Sequence, residues 1–323
     1  MMRAIQVREF GDPEVLVLEE VPEPVAGPGQ VVVALEAADV IYLDTLLRGG
    51  WGQDFFPRTL PYVPGHGGAG RVLSVGEGVD PGWAGRRVVA GASTGYAERI
   101  VAGVEEVMEV PGALGSAEAA AVLHDGVTAL NLARTAEIGK DEWVLVTSAA
   151  GGAGSLLVQL ARDAGARVVA AARGERKLAL ARELGAEAAV DYSLAGWGDR
   201  VREVTGGAGV DLAFDGAGGE LGRATFETVA GGGRFLTYGT AGGGFLEIDP
   251  SLAEERRVRA TNTLAAGPPD PLLVRELLAE ALSLAAEGRI RPHIGATFPL
   301  ERARDAHTSL AERRTVGKSL LLV

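Results

Sequence analysis

The sequence predicts an α/β protein in which a β-rich part precedes a doubly wound part built on a parallel sheet. Three observations lead there. Up to residue 120, short runs of strand character are broken repeatedly by Gly and Pro. Beyond Ser116, continuously apolar runs alternate with amphipathic helical periods, the pattern of strands buried on both faces beneath helices. Between the first such strand and helix lies the glycine-rich turn Ser148-Ala-Ala-Gly-Gly-Ala-Gly154.

In chain order, strands are expected at 3–8, 15–19, 30–37, 70–75 and 87–90, forming a compact, distorted barrel. A helix follows from Ser116, with Ser116 as its cap and Glu118 in its first turn. The alternation then predicts strand 142–147, helix 155–164, strand 167–172, helix 175–184, strand 210–215, helix 220–230 and strand 234–238. A Pro-Pro break after Gly267 precedes a helix over 271–287 and short final strands. The last of these, 319–323, is apolar and is expected to pair back with the first part. The expected domains are therefore 1–120 with 267–323, and 121–266.

Composition narrows the function. The chain has 323 residues, with 47% hydrophobic and 23% charged, ordinary values for a globular enzyme. A net charge of -12 repels nucleic-acid phosphates. No apolar run is long enough for a membrane span. The N-terminus lacks a signal-peptide core, so a cytoplasmic location is expected. There is no cysteine, hence no disulfide, no thiolate nucleophile and no cysteine-ligated zinc. His66, His124, His293 and His307 show no metal-ligand spacing. No metal site is expected.

The glycine turn carries the cofactor expectation. Ala149, Gly151 and Gly154 occupy the three positions of an A-x-G-x-x-G dinucleotide fingerprint. The middle glycine permits close approach of a pyrophosphate, the third permits close helix–strand packing, and the helix start supplies free N–H groups. A plain turn rich in small residues is the blander alternative. About twenty residues on, where a carboxylate would select NAD, stand Arg173, Arg176 and Lys177. Cations there favour the 2′-phosphate of NADPH, although a solvated helix start accounts for the same charges.

These residues resemble a known family. Asp39-Val-Ile-Tyr-Leu-Asp44-Thr-Leu-Leu-Arg48 is similar to a V-N-x-x-D-x-x-x-R segment of quinone oxidoreductases. Tyr62-Val-Pro-Gly-His66-Gly-Gly-Ala-Gly70, Gly95-Tyr-Ala-Glu98, Gly126-Val-Thr128-Ala129, the glycine turn and Gly317-Lys318 follow in the family's order. The chain thus resembles zeta-crystallin-type quinone oxidoreductases of the medium-chain dehydrogenase/reductase superfamily. The resemblance implies a GroES-like catalytic domain split around a Rossmann domain, with NADPH in the cleft and a homodimer formed along the Rossmann sheets. It implies that Tyr42, Leu43 and Thr45 border the nicotinamide while Asp44 braces their loop. Thr128 would meet ribose or phosphate, and Gly151, Gly152 and Ala153 the pyrophosphate. Arg173 and Lys177 would hold the 2′-phosphate and Tyr192 the adenosine. Gly239, Thr240 and the stretch Leu264, Ala265 and Ala266 would close over the nicotinamide, with Lys318 approaching from the final turn. Zinc-using relatives carry a cysteine before the conserved Asp and G-H-E at the histidine; this chain has no cysteine, and Gly67 follows His66.

Two departures bear on chemistry. Ile41 stands where the family has Asn and cannot donate a hydrogen bond near the nicotinamide. His124 is titratable near neutral pH and is a candidate proton donor to an enolate or hydroquinone oxygen; a structural helix-end histidine is the alternative. Tyr42, Trp51, Phe55, Phe56 and Tyr62 line an aromatic-accepting pocket or simply pack. The expected activity is hydride transfer from NADPH to a quinone or other conjugated carbonyl, with Tyr42 and His124 as catalytic candidates. The rivals are an enoyl or alkenal double-bond reductase on the same scaffold, and an NADPH-binding sensor or structural protein with little turnover.

Overall fold

The structure is a computed structural model that describes residues 1–54, 56–241, 244, 246–263, 265, 267 and 269–323. It divides into two compact units, each discontinuous in sequence. One comprises 1–124, 278–288 and 292–323; the other comprises 125–277 and 289–291.

In the first unit, β1 (Met2–Gln6) and β2 (Val17–Val21) form an antiparallel pair. A larger sheet contains β3 (Gln30–Val40), β4 (Gly67–Val75), β5 (Arg87–Gly91), β6 (Arg99–Gly103) and β7 (Val107–Glu109). Helix α1 (Tyr42–Arg48) leaves β3, and α2 (Ser116–Val122) follows β7. The long β3 is the centre of this sheet, pairing antiparallel with both β4 and β6. Its alternate residues Val31, Val33 and Leu35 enter a core with Ile5, Val88, Tyr96 and Ile100. Burying one such aliphatic side chain contributes roughly 1.5–3 kcal/mol. Asp39, near the end of the same strand, is equally buried and therefore needs partners.

The second unit opens with α3 (Asp125–Ala136) and continues through β8 (Trp143–Thr147), α4 (Gly152–Asp163), β9 (Arg167–Ala172), α5 (Glu175–Glu183), β10 (Ala188–Asp191), α6 (Trp197–Val204), β11 (Val210–Asp215), α7 (Gly219–Glu227), β12 (Val229–Thr237), α8 (Pro250–Arg256) and β13 (Arg259–Asn262). Its six strands run in the order β10-β9-β8-β11-β12-β13, all parallel. The order reverses between β8 and β11, and ligands of doubly wound sheets bind outside the carboxyl ends of strands at such a switch point. Val144, Leu145 and Val146 on β8 are fully buried because helices cover both faces. Helix α9 (Pro271–Ala286) is shared by both units, and β14 (Ile294–Pro299), α10 (Ala303–Ala311) and β15 (Lys318–Leu322) complete the first. As the apolar ending predicts, β15 pairs with β3.

Two local readings need correction. Ser116 is the first residue of α2 rather than its cap, which is Gly115; the Ser116 hydroxyl donates to Glu36 at 2.5 Å instead. Helix α4 begins at Gly152, three residues before the apolar period at 155, because tertiary packing holds the glycines in its first turn.

Candidate functional site

In the β-rich unit, α1 turns directly off β3. Asp44 accepts the N–H of Ile41 at 3.0 Å, and the Thr45 hydroxyl donates to the carbonyl of Tyr42 at 2.6 Å. These bonds fix the first turn that presents Tyr42 and Leu43, both half-buried. Ile41 has no side-chain acceptor, so Asp44 satisfies the helix start from within the helix.

Asp44 is also the centre of a buried polar chain. Its Oδ1 accepts from His66 Nδ1 at 2.9 Å, and its Oδ2 accepts from the Tyr96 hydroxyl at 2.9 Å. The other ring nitrogen of His66 faces Arg58 Nη2 at 2.9 Å, so both nitrogens are engaged. Burial would raise Asp44, but the hydrogen bonds it accepts from His66 Nδ1 and the Ile41 N–H hold it below the usual carboxylate range. Tyr96 in turn meets His307 Nε2 at 2.9 Å. With Tyr96 donating to Asp44, His307 donates through Nε2 and is neutral, its buried Nδ1 having no partner among the described residues.

That neutral histidine makes a pH prediction. Burial pushes His307 down to about 4, against an opposing pull from Asp44 and with Arg48 acting in the same downward direction. The unfolded chain takes up this proton near pH ~6.5, whereas the folded chain resists it. His307 thus contributes stability that is present above that pH and lost as pH falls toward 4, about 3 kcal/mol in all. Urea titrations at neutral pH and at moderately acid pH are expected to show this loss, and His307→Asn to flatten it.

A second charged group lies close by. Asp39, 1% exposed, accepts from His124 Nδ1 at 2.7 Å and is ion-paired with Lys318 Nζ. Burial would raise Asp39, but Lys318 and then His124 hold it below its ordinary value. An ionised Asp39 fixes the His124 proton on Nδ1 and leaves Nε2 for exchange with a ligand. The His124 side chain is 34% exposed, and its ring lies 6.1 Å from that of His66, edge to face. The Lys318 ammonium, read from sequence as a cofactor contact, is directed onto Asp39. Trp51 stacks on Phe56 at 6.5 Å; Phe55 lies outside the described residues.

In the parallel-sheet unit, the glycine turn closes the C-terminal end of β8. Ser148 adopts a left-handed conformation (φ 53°), which turns the chain sharply into α4. A Cβ on Gly154 would lie 2.3 Å from the Ser148 carbonyl oxygen, so only glycine lets the helix approach this closely. Gly151, Gly152 and Ala153 are half-buried at the helix start. Thr128 projects from α3, which packs beside α4. On the other side of the switch point, Asp215 ends β11. Its carboxylate accepts from Thr147 and Thr237 hydroxyls at 3.2 Å each and from the N–H groups of Ala217 and Gly218. Burial raises Asp215, against these bonds. One carboxylate thereby ties three adjacent strand ends together. Gly239 packs against Gly216, where a Cβ would fall 2.4 Å from its carbonyl oxygen, and Thr240 follows.

At the far end of β9, Arg173 is exposed and Lys177 half-buried. Asp191 accepts from the Gly174 N–H at 2.9 Å and holds that loop; burial would raise Asp191, but its Ser193 and Gly174 bonds and then the Arg173 charge keep it low. Tyr192 packs edge to face on Trp197 at 6.5 Å. Ala265 is exposed, its N–H donating to Asn262, while Leu264 and Ala266 lie outside the described residues.

Comparison with known proteins decides the family. A GroES-like alcohol dehydrogenase domain model matches residues 27–132, and a zinc-binding dehydrogenase model matches 184–321. The chain is 32% identical over its full length to the full-length quinone oxidoreductase of Pseudomonas aeruginosa. The chain belongs to the quinone oxidoreductase family. A 2-haloacrylate reductase from Burkholderia is 30% identical, covering all of this chain and 99% of that protein. A mycobacterial protein solved with NADPH superposes with a TM-score of 0.91 at 33% identity, covering both chains completely.

Asp39, Arg58, Asp191 and Asp215 add charge to the site without belonging to any motif of the sequence. Asp39 had a signal, since a charge in the apolar run Val31–Val40 requires a buried partner. So did Asp215, an acid closing an apolar strand directly before glycines.

Proposed function

We propose that this chain binds NADPH through its parallel-sheet unit and reduces a quinone or another conjugated carbonyl without zinc. The observation that supports the proposal best is the glycine turn at the switch point, where Gly154 lets the start of α4 pack directly against the Ser148 carbonyl at the end of β8. Bound NADPH supplies a hydride to the acceptor. The chain's own part is placement and proton handling. Gly151, Gly152 and Ala153 present backbone N–H groups to the pyrophosphate. Thr128 borders the ribose or phosphate, Tyr192 the adenosine, and Gly239, Thr240 and Ala265 the nicotinamide end. Tyr42, Leu43 and Thr45, held by Asp44, line the nicotinamide side of the β-rich unit. His124, oriented by Asp39, donates the proton to the reduced acceptor; Lys318 neutralises Asp39.

The donor set does not suit zinc. The sequence has no thiolate, and both nitrogens of His66 are engaged by Asp44 and Arg58. The same family reading makes the protein a cytoplasmic homodimer joined along the parallel sheet, and β13 is an edge strand of that sheet. No helix among the described residues is long and apolar enough to cross a membrane.

Arg173 and Lys177 are expected to select NADPH. Replacing Arg173 by Glu should weaken NADPH binding by roughly 10–100-fold, the value of one charge-assisted contact, while leaving NADH nearly unchanged. Fluorescence titration of both cofactors checks this. The acceptor is tested by NADPH oxidation with benzoquinone, phenanthrenequinone and alkenones side by side, with chelator present throughout. Turnover on quinones supports the proposal. His124 favours a second reading, a double-bond reductase, because an enolate needs a placed proton more than a hydroquinone does; alkenone turnover alone would establish it. Tight binding without turnover on any acceptor would leave a cofactor-binding protein.

A further inference from the structure

Helices α3 and α4 pack side by side, and this sets the first residue of α3 against the first residue of α4. A Cβ on Gly152 would lie 1.9 Å from Asp125 Oδ2 and 2.5 Å from its Cγ. The Asp125 carboxylate therefore rests on the backbone assigned above to the cofactor's pyrophosphate. No residue in the first turn of α4 is itself acidic, so Asp125 supplies a negative charge that this helix start favours.

We propose that Asp125 competes with the pyrophosphate for the start of α4 and so sets this chain's affinity for NADPH. The inference rests on the NADPH reading above. The physical basis is that two anions cannot share one helix start at contact distance. Their repulsion is strong in a partly desolvated turn, where the effective dielectric is well below that of water. NADPH binding then requires the Asp125 side chain to rotate away, and the apparent affinity is reduced by the fraction of molecules in which it has not. Asp125 differs in this from the other residues of the cradle. Altering a glycine there should weaken binding, whereas removing the Asp125 charge should strengthen it.

The test is calorimetric titration of the full chain with NADPH and, separately, with adenosine 2′-monophosphate, which carries the 2′-phosphate but no pyrophosphate. Asp125→Asn is expected to bind NADPH roughly tenfold more tightly than the unaltered chain. Adenosine 2′-monophosphate should bind both forms equally. Asp125→Ala, which removes the charge without adding an amide, should also tighten NADPH binding. Thermal melting without ligand should show both variants folded and slightly less stable, because the helix start loses its anion. Unchanged or weaker NADPH binding by both variants would overturn the inference while leaving the NADPH reading intact. So would equal tightening of adenosine 2′-monophosphate. Absence of NADPH binding by every form would remove the cofactor reading and the inference with it.

Discussion

Gly154→Val is expected to raise the dissociation constant for NADPH more than ~100-fold, the largest single effect in the cofactor site. The cause is backbone rather than side chain. A Cβ at this position would stand 2.3 Å from the Ser148 carbonyl oxygen and 3.0 Å from its carbonyl carbon. Ser148 cannot retreat cheaply, since its φ of 53° already lies in the left-handed region and its carbonyl accepts the Gly151 N–H. Valine must therefore push α4 away from β8 and tilt the N–H groups of the first turn. Overpacking of this kind costs about 1–3 kcal/mol of stability. Gly154→Ala should give a smaller loss in the same direction. Circular dichroism melts separate the two consequences: a folded variant that no longer binds NADPH is the expected result. Binding at the unaltered affinity would show that the turn is not the pyrophosphate cradle.

His124→Gln is expected to lower turnover on an alkenone about 100-fold, with NADPH affinity unchanged. Glutamine preserves a donor toward Asp39 but has no proton to give. The ionised, buried Asp39 holds the imidazole with Nδ1 protonated, so exchange with the acceptor falls to Nε2. Asp39→Asn should reproduce part of the loss and shift the pH profile of alkenone reduction, a change that mere loosening of the fold would not produce. Quinone reduction should suffer less in both variants, because solvent can protonate a hydroquinone oxyanion. Equal small losses on both acceptors would return His124 to a structural role.

The sequence made the alternation of strands and helices legible because buried parallel strands such as Val144–Val146 are apolar without interruption. The glycine turn was legible for a related reason, since only residues lacking bulk fit between Ser148 and α4. The start of α4 was not, because glycine has poor intrinsic helix propensity and packing overrides it here. The polar interior was harder still. Asp39, Lys318 and His124 are far apart in the chain, and their meeting depends on β15 returning to pair with β3. The pairing of Lys318 with the buried Asp39 is therefore not readable from Gly317-Lys318 in the sequence. Asp125 was visible only as a letter beside His124; its contact with Gly152 follows from the packing of two helices.

Direct hydride transfer from NADPH to a conjugated carbonyl is measured with NADPH carrying deuterium at the transferred position of nicotinamide C4 and an alkenone acceptor, chelator being present. The expected product is a saturated ketone with one deuterium at the β-carbon for each NADPH oxidised and the neighbouring carbon protonated from solvent. A product carrying solvent hydrogen at the β-carbon, or NADPH that binds and is oxidised by neither alkenone nor quinone, would contradict it.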